Sequence, residues 1–206
     1  MKAKGAYRFF KLILGLPFRL IYRIRIIGAD NEPDGPFIVS ANHMSYADPF
    51  IEGVCLKTQI TYIAKSSLER FRIIKWFFST VGVIPIKREE SDVAAIRKSV
   101  AALKDGKVIG IYPQGTRIPL KPPHKEDAMG GLGLLVSLAK CPVLPMAIVT
   151  KAHRPRPFRK TLVVIGKPLS YETVTEENGV HRSKQEMAEF CFSETVRLYE
   201  EAYSLL

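Results

Sequence analysis

The chain has 206 residues, of which 47% are hydrophobic and 25% are charged, which fits a single globular α/β domain. Its 31 Lys and Arg residues outnumber its 20 Asp and Glu residues, and the resulting charge of +11 favours an anionic partner such as nucleic acid, a membrane surface or a phosphorylated substrate. Three widely spaced cysteines and four scattered histidines argue against a disulfide framework or a metal-ligand cluster, and they predict a reducing compartment.

The N-terminal segment, residues 1–24, combines a wide apolar face with basic edges. Lys4, Arg8 and Lys11 have the spacing of one narrow stripe on a helix, and apolar side chains dominate the rest of residues 5–24. No stretch here reaches the about 20 apolar residues that a membrane span requires. We therefore expect an amphipathic helix at the membrane interface; the alternative is a helix packed on the domain.

After this segment, short apolar runs alternate with helical patterns. The alternation predicts a single α/β domain over residues 25–206, with a mostly parallel central sheet flanked by helices. The strands are expected at residues 37–41, 60–64, 83–86, 107–112, 143–149 and 162–166, and the helices at 49–56, 68–80, 91–104, 127–139 and 182–204. Ligands of such sheets bind beyond the carboxyl ends of the strands, so polar side chains at those ends are candidates for a functional site.

The first of these strand ends is followed by Asn42 and His43, and Asp48 comes five residues after the histidine. A histidine here can act as a general base if a carboxylate orients its ring and stabilises its cationic form. Five residues along one helix would place the two side chains about 140° apart, so a turn must fold Asp48 back towards His43. The plainer interpretation, compatible with the first, is that Asp48 caps a helix beginning at Pro49 by accepting a backbone N–H.

A second strand end carries groups suited to an anion. Residues 81–88 are an apolar run that ends in Lys87 and Arg88. The guanidinium fork of an arginine matches the oxygens of a phosphate, so this end is a candidate anion clamp. A solvated basic loop, paired with the two glutamates that follow, is the plainer interpretation.

The third strand end, after residues 107–112, is compact. Gly115 lets the backbone approach a ligand closely, Thr116 and the backbone N–H groups can bond oxygen atoms, and Arg117 supplies positive charge. A polar turn would have the same composition. By itself this stretch therefore only suggests an anion site.

Together, these strand ends resemble the sequence blocks of the glycerolipid acyltransferases typified by 1-acylglycerol-3-phosphate (lysophosphatidic acid) acyltransferase. Residues 42–48 are similar to the family's Asn-His-x4-Asp block, residues 82–88 to its second block, which ends in Arg, and residues 113–117 to its Pro-Glu-Gly-Thr-Arg block. Residues 143–148 resemble its fourth block, a Val-Pro-type strand. The resemblance extends from about residue 24 to 168 in the family's order, with one departure, Gln114 in place of Glu.

The resemblance implies an acyltransferase that moves a fatty acyl group from acyl-CoA or acyl-carrier protein to the 2-hydroxyl of lysophosphatidic acid, giving phosphatidic acid in phospholipid biosynthesis. It makes His43 the base that deprotonates the hydroxyl and Asp48 the residue that orients it. It implies no covalent acyl-enzyme, no metal and no bound cofactor, since the acyl thioester is a substrate. The residues that it suggests for substrate binding are Asn42, Lys65, Arg88, Gln114, Gly115, Thr116 and Arg117.

Roles within that set stay open at this stage. Asn42 and Gln114 either bond glycerol oxygens or support the loop, and Lys65 either contacts phosphate or thioester or is solvated. Since Gln114 lacks the charge of Glu, another acceptor such as glycerol-3-phosphate or a different lysolipid is an alternative. A serine hydrolase is disfavoured because no Gly-x-Ser-x-Gly stretch occurs. A nucleic-acid-binding module would explain the charge, but no binding signature accompanies it.

The same features predict a peripheral protein on the cytoplasmic side of the cytoplasmic membrane. Its lipid acceptor must leave a bilayer, so the site should lie close to one. The apolar face of residues 5–24 would enter the interface, while basic side chains there and in a loop at residues 151–160 would meet anionic lipids. The basic residues expected to do so are Lys4, Arg8, Lys11, Arg19, Arg23, Lys151, Arg154, Arg156, Arg159 and Lys160.

Overall fold

The computed structural model of the chain describes residues 5–65, 83–86 and 92–206. The predicted helix at residues 68–80 and the candidate Arg88 therefore lie outside the described residues. The helices are α1 (Gly5–Ile21), α2 (Asp48–Cys55), α3 (Asp92–Lys104), α4 (Gly131–Ala139), α5 (Tyr171–Thr175) and α6 (Lys184–Tyr203). The strands are β1 (Ile24–Ile27), β2 (Ile38–Ala41), β3 (Ile60–Lys65), β4 (Ile84–Ile86), β5 (Val108–Ile111), β6 (Val143–Val149), β7 (Thr161–Ile165), β8 (Glu176–Glu177) and β9 (Val180–His181).

Within the described residues, seven strands form one sheet in the order β1–β7–β6–β2–β5–β3–β4, and β8 and β9 form a separate antiparallel pair. Every neighbouring pair from β6 to β4 is parallel. Strand β7 runs antiparallel to β6, and β1 runs parallel to β7. The prediction of a mostly parallel sheet flanked by helices is confirmed. The five parallel strands β2 to β6 end together at one edge of the sheet, which we call the carboxyl edge.

Both faces of the sheet are covered by helices. Val39 and Ala41 of β2 belong to a buried apolar cluster with Ile51 of α2, whereas Ile38 belongs to a second cluster with side chains of α3, α4 and α6. Because successive side chains of a strand point to opposite faces, α2 covers one face, whereas α3, α4 and the first half of α6 cover the opposite one. The last turns of α6 contribute Leu198, Tyr199 and Ala202 to the first cluster. This two-sided burial explains why β6 and β7 are buried along their whole lengths.

The largest error of the sequence-based prediction concerns the N-terminal segment. The helix predicted at residues 5–24 ends at Ile21, and the run Ile24–Ile27 is a strand that was not predicted. Arg23 has a left-handed φ of 44°, which ends the helical path, and each residue of β1 then pairs with one of β7. Three isoleucines and one arginine do not distinguish helix from strand, so pairing with a distant strand decides the conformation of this run.

Two smaller features also differ from the prediction. The helix expected at residues 127–139 begins at Gly131, because Lys125–Asp127 forms a separate 3-10 turn. The short helix α5 and the β8–β9 pair were not predicted. The three cysteines are free and buried, as expected for small apolar side chains.

Candidate active site

His43 and Asp48 meet at the carboxyl edge, directly after β2. The Nδ1 atom of His43 lies 2.8 Å from Oδ2 of Asp48. The backbone N–H groups of Met44 and Ser45 donate to the same carboxylate oxygen at 2.6 Å each, so the predicted turn folds Asp48 back onto the histidine. Asp48 is fully buried, whereas 16% of the His43 side chain is exposed. With Nδ1 engaged, Nε2 is the ring atom left to accept a proton from a substrate.

The expected helix-capping role of Asp48 was wrong. The N–H groups of Phe50 and Ile51 donate to the carbonyl oxygen of Ala47, at 3.1 and 2.9 Å, and not to the carboxylate. Helix α2 begins at Asp48 itself, and the side chain turns towards His43. Its second oxygen, Oδ1, is buried without a hydrogen-bond partner among the described residues. The carboxylate therefore serves the histidine and the turn before it.

Asn42 does not face a substrate. Its side chain is fully buried, its Nδ2 donates to the carbonyl oxygen of Ile148 at 3.0 Å, and its Oδ1 accepts the N–H of Ile148 at 2.8 Å. The amide thus pairs the end of β2 with β6 in the way that a backbone peptide would. The sequence left two roles open for Asn42, a contact with the substrate or support of the loop. The structure corrects the first role: Asn42 supports the loop.

Gln114 also supports the loop that carries His43. It is 5% exposed, and its Oε1 accepts the backbone N–H of His43 at 2.7 Å. Its Nε2 donates to Oδ2 of Asp127 at 3.4 Å, a long and weak contact. A glutamate at this position could accept from His43 equally well, but it would bring a second carboxylate against Asp127. The amide therefore suits the acidic neighbour that this chain has.

Residues 115–117 form the exposed side of the site. Gly115 has a left-handed φ of 65°, and a Cβ there would collide with the Sδ atom of Met129, so the turn requires glycine. Thr116 and Arg117 are exposed. The guanidinium of Arg117 lies 3.5 Å from the ring centroid of Tyr46 and donates to its hydroxyl at 2.8 Å. The next residue along the chain closes the loop, since Ile118 N–H donates to the carbonyl oxygen of His43 at 2.8 Å.

The two remaining candidates are less defined. Lys65 is the last residue of β3, so its backbone lies at the carboxyl edge, but its side chain is not described. Arg88 lies outside the described residues, and β4 before it ends at Ile86 at the same edge. Their roles in substrate binding stay predictions.

Sequence reasoning missed an aromatic and acidic cluster behind His43. The ring of Tyr112 stacks on the His43 ring with centroids 3.9 Å apart, and Tyr62 donates its hydroxyl to Oε2 of Glu52 at 2.6 Å. Burial raises the pKa of Glu52 to about 8, against the opposing effect of hydrogen bonding from tyrosine hydroxyls. One signal was available: Glu52 follows Asp48 by four residues, the spacing that puts two side chains on one face of a helix.

Comparison with known proteins agrees with this geometry. The sequence profile of the acyltransferase family matches residues 23–149, which is more than half of the chain. The chain therefore belongs to the acyltransferase family, and the protein is an acyltransferase.

Named relatives narrow the resemblance. The chain is 28% identical over 167 residues to a 1-acyl-sn-glycerol-3-phosphate acyltransferase of Bacillus subtilis, covering 79% of this chain and 82% of that protein. It is 26% identical over 184 residues to the enzyme of that name from Saccharomyces cerevisiae, covering 85% of this chain and 59% of that protein. The crystal structure of the 1-acyl-sn-glycerophosphate (LPA) acyltransferase PlsC from Thermotoga maritima superimposes with a TM-score of 0.70 at 22% identity, over 95% of this chain and 78% of that one. That structural likeness establishes the fold.

Proposed function

We propose that this acyltransferase moves a fatty acyl group from an acyl thioester to the 2-hydroxyl of 1-acylglycerol-3-phosphate, giving phosphatidic acid. The observation that carries the proposal is the His43–Asp48 pair, at 2.8 Å, beside a loop that presents an exposed hydroxyl and an exposed arginine. A base for the acceptor hydroxyl thus lies next to groups that suit the acceptor phosphate. The names and coverage of the relatives support this acceptor over other hydroxyl compounds.

The reaction needs one proton shuttle. Nε2 of His43 accepts the proton of the 2-hydroxyl while Asp48, bonded to Nδ1–H, stabilises the imidazolium that forms. The hydroxyl oxygen attacks the thioester carbonyl carbon, a C–O bond forms, and the C–S bond breaks. The leaving thiolate takes the proton from His43 and departs as a thiol. The donor is acyl-CoA or acyl-carrier protein, both of which present such a thioester.

Positioning of the acceptor falls to the exposed loop. Thr116 and Arg117 would bind the phosphate together with Arg88, so that the 2-hydroxyl comes within reach of His43. The stacking of Arg117 on Tyr46 keeps the guanidinium beside the turn that holds Asp48. Asn42 and Gln114 support this arrangement from behind: Asn42 ties the end of β2 to Ile148, and Gln114 accepts the backbone N–H of His43.

Product analysis with a panel of acceptors tests the proposal. The purified protein is given acyl-CoA or acyl-carrier protein with lysophosphatidic acid, glycerol-3-phosphate or lysophosphatidylcholine, and lipid products are identified by mass spectrometry. We expect phosphatidic acid from lysophosphatidic acid, with a kcat/KM at least about tenfold above that for the other acceptors because their phosphate is blocked or their first acyl chain is missing. Faster acylation of either of those acceptors would contradict the proposal.

We also propose that α1 attaches the protein to a membrane surface. Its outer face exposes a stripe of large apolar side chains: Phe9 is 58% exposed, Leu12 77%, Leu16 64% and Leu20 66%. An exposed apolar stripe of this size on a helix favours burial in the headgroup and acyl boundary of a bilayer. Among the helices of the described residues, none has the length and apolar character needed to cross a bilayer.

Three of the basic residues expected to meet lipid have another partner: Lys160 donates to the carbonyl oxygen of Leu205 at 2.8 Å, and two residues of α1 bond to α2. Lys11 donates to the carbonyl oxygen of Leu56, and Arg19 donates to that of Val54, at the carboxyl end of α2. Cations are favourable there because the last carbonyl groups of a helix carry partial negative charge. For Lys11 and Arg19, the expectation of a lipid contact is therefore replaced by an attachment of α1 to α2.

The loop at residues 151–160 supplies a second membrane contact. It connects β6 to β7, so it lies at the carboxyl edge beside His43. Phe158 in this loop is 72% exposed, and its N–H donates to the carbonyl oxygen of Ile21 at the end of α1. Exposed arginines lie near the phenylalanine along the chain, at positions 154, 156 and 159. An aromatic side chain among cations suits an anionic bilayer surface, at the cytoplasmic face of the membrane where the acyl donors occur.

Vesicle flotation with anionic and neutral lipids tests the attachment. Replacing Leu12 and Leu16 by serine should release most of the protein, and Phe158→Ser should weaken binding by severalfold. Leu138→Ser on α4, where the leucine is 51% exposed, is the matched control and should bind as the wild type does. High salt should loosen binding to anionic vesicles without abolishing it. If the serine variants float like the control, α1 is only a packing helix.

A further inference from the structure

Three aromatic rings lie nearly parallel behind the catalytic pair. The Tyr112 ring covers one face of the His43 imidazole, with centroids 3.9 Å apart and planes inclined by 11°. The Tyr62 ring lies beyond Tyr112, with centroids 6.0 Å apart and planes inclined by 10°. Tyr112 directly follows β5 and Tyr62 lies within β3, so two strands of the sheet set the planes of the rings.

The sheet is shaped to receive this stack. Tyr62 pairs with Gly110 in the register of β3 and β5. A Cβ at Gly110 would come within 2.8 Å of Cδ1 of Tyr62 and closer still to Cε1, so only glycine leaves room for the ring to lie across the neighbouring strand. The glycine therefore places an aromatic ring where the Tyr112 ring can rest against it.

Glu52 anchors the stack from α2. Its carboxyl group is 1% exposed and accepts the Tyr62 hydroxyl at 2.6 Å. Since Glu52 follows Asp48 by one helical turn, the same helix supplies the carboxylate for His43 and the carboxyl group for the tyrosines. The two are linked rigidly, so a displacement of α2 would move both.

Burial favours the protonated form of Glu52. Its Oε1, the Tyr112 hydroxyl and Oδ1 of Asp48 are all buried without a hydrogen-bond partner of ordinary geometry in the described part of the chain. The Tyr112 hydroxyl nevertheless lies near enough to act on the pKa of Glu52, which burial raises to about 8. A protonated carboxyl group has an O–H donor that a carboxylate lacks.

We propose that Tyr112 is a positioning residue for His43, and that Glu52 and Tyr62 hold Tyr112 in place. Asp48 fixes the direction of Nδ1, but a single hydrogen bond leaves the ring free to tilt. The Tyr112 ring removes that tilt by covering one face, so Nε2 points into the site. Its π face also attracts the imidazolium that forms as the acceptor hydroxyl loses its proton.

The turnover of two Tyr112 variants tests the proposal. This measurement rests on the proposed function, because it uses acyl transfer to lysophosphatidic acid. Tyr112→Phe keeps the ring and should stay within about threefold of the wild-type kcat, whereas Tyr112→Leu should lower kcat about 10- to 100-fold, the scale expected for a small misplacement of a reacting group. The KM values for lysophosphatidic acid and for the acyl donor should change little. Tyr203→Leu removes the stack of Tyr203 on His153, 5.1 Å between centroids, and is the matched control with unchanged kcat.

A second measurement is independent of any substrate. In a proton NMR spectrum, the ring current of Tyr112 should shift the signals of the His43 imidazole C–H groups upfield. The shift should persist in Tyr112→Phe and Glu52→Gln, shrink in Tyr62→Leu, and vanish in Tyr112→Leu or, if that variant does not fold, in Tyr112→Met. A His43 signal that is the same in all variants, or a Tyr112→Leu enzyme as fast as the wild type, would overturn the proposal. If lysophosphatidic acid is not acylated at all, the proposed function fails while the spectra still decide whether Tyr112 positions the ring.

Discussion

The side chains behind His43 are buried and joined by hydrogen bonds, whereas those expected to meet the acceptor phosphate are exposed. Asn42, Gln114 and Asp48 each have at least one bond to the backbone beside His43 or to a neighbouring strand, and none is more than 5% exposed. Arg117, in contrast, is exposed and rests on Tyr46, which is itself 70% exposed.

The difference follows from what each side has to do. Proton transfer needs a base held within a fraction of an ångström of its working position, and buried cross-links supply that rigidity. A lipid acceptor must enter from a bilayer, so the groups that bind its phosphate have to remain accessible. Substitutions on the buried side should therefore change kcat or stability, and those on the exposed side should change acceptor KM.

Removing the base should have the largest effect. His43→Ala should lower kcat by about 10²- to 10⁴-fold, the usual contribution of a general base, while the protein stays folded, as circular dichroism would show. Asp48→Asn should also be severe, and it should lower stability because the carboxylate accepts three hydrogen bonds. Near-normal turnover by purified His43→Ala would contradict the mechanism.

The buried carboxyl group should make stability depend on pH. The pKa of Glu52 is raised from 4.5 to about 8 in the folded state, so its contribution is fully present below pH 4.5 and is lost as the pH rises through 8. Within that window the free energy of unfolding should fall by up to about 1.4 kcal/mol per pH unit relative to Glu52→Gln. Denaturant unfolding at several pH values measures the difference. The exposed carboxylate of Glu126 offers a control, since Glu126→Gln should leave the wild-type slope unchanged.

Substitution of Arg117 tests whether the exposed side of the site binds the acceptor phosphate. Arg117→Ala should raise the KM for lysophosphatidic acid about tenfold or more, as expected for loss of a hydrogen bond to a charged group, with little change in the donor KM or in stability. Arg88→Ala should behave in the same way. Arg97→Ala, at an exposed arginine of α3, is the control. Equal effects on both substrates would exclude a phosphate clamp and remove the functional contrast between the two sides.

The smallest expected effect concerns Gln114, the residue at which this chain departs from the Pro-Glu-Gly-Thr-Arg block of the family. Gln114→Glu should lower stability by about 1 kcal/mol and kcat by a few fold, because a second carboxylate would face Asp127 at the site of a 3.4 Å contact. Asp127→Asn in the same chain should restore both. Thermal unfolding and turnover of the single and double variants measure the coupling. If Gln114→Glu has the stability and kcat of the wild type, the contact between residues 114 and 127 does not contribute to either.

Local patterns in the sequence were sufficient to predict most of the fold. Alternating apolar runs and helical periods predict the parallel strands β2 to β6, since each pattern depends on residues that are near one another along the chain. The same patterns fail for β1, where four residues have no decisive period and a distant strand decides. They also could not show that α1 would turn Lys11 and Arg19 inwards, since both faces suit a helix in isolation. The same holds for Leu12, Leu16 and Leu20, which α1 turns outwards.

For the site, the sequence by itself determined which side chains follow the strands, and the spacing of His43 and Asp48 made their contact a definite expectation. Only the tertiary structure decided the roles of Asn42 and Gln114, which bond to groups 106 and 71 residues away along the chain. The stack of Tyr112 on His43 likewise joins two strands whose order in the sheet no local pattern encodes. A hydrogen-bond partner or a ring neighbour is defined by distance in space, and chain folding brings such groups together irrespective of their separation in sequence.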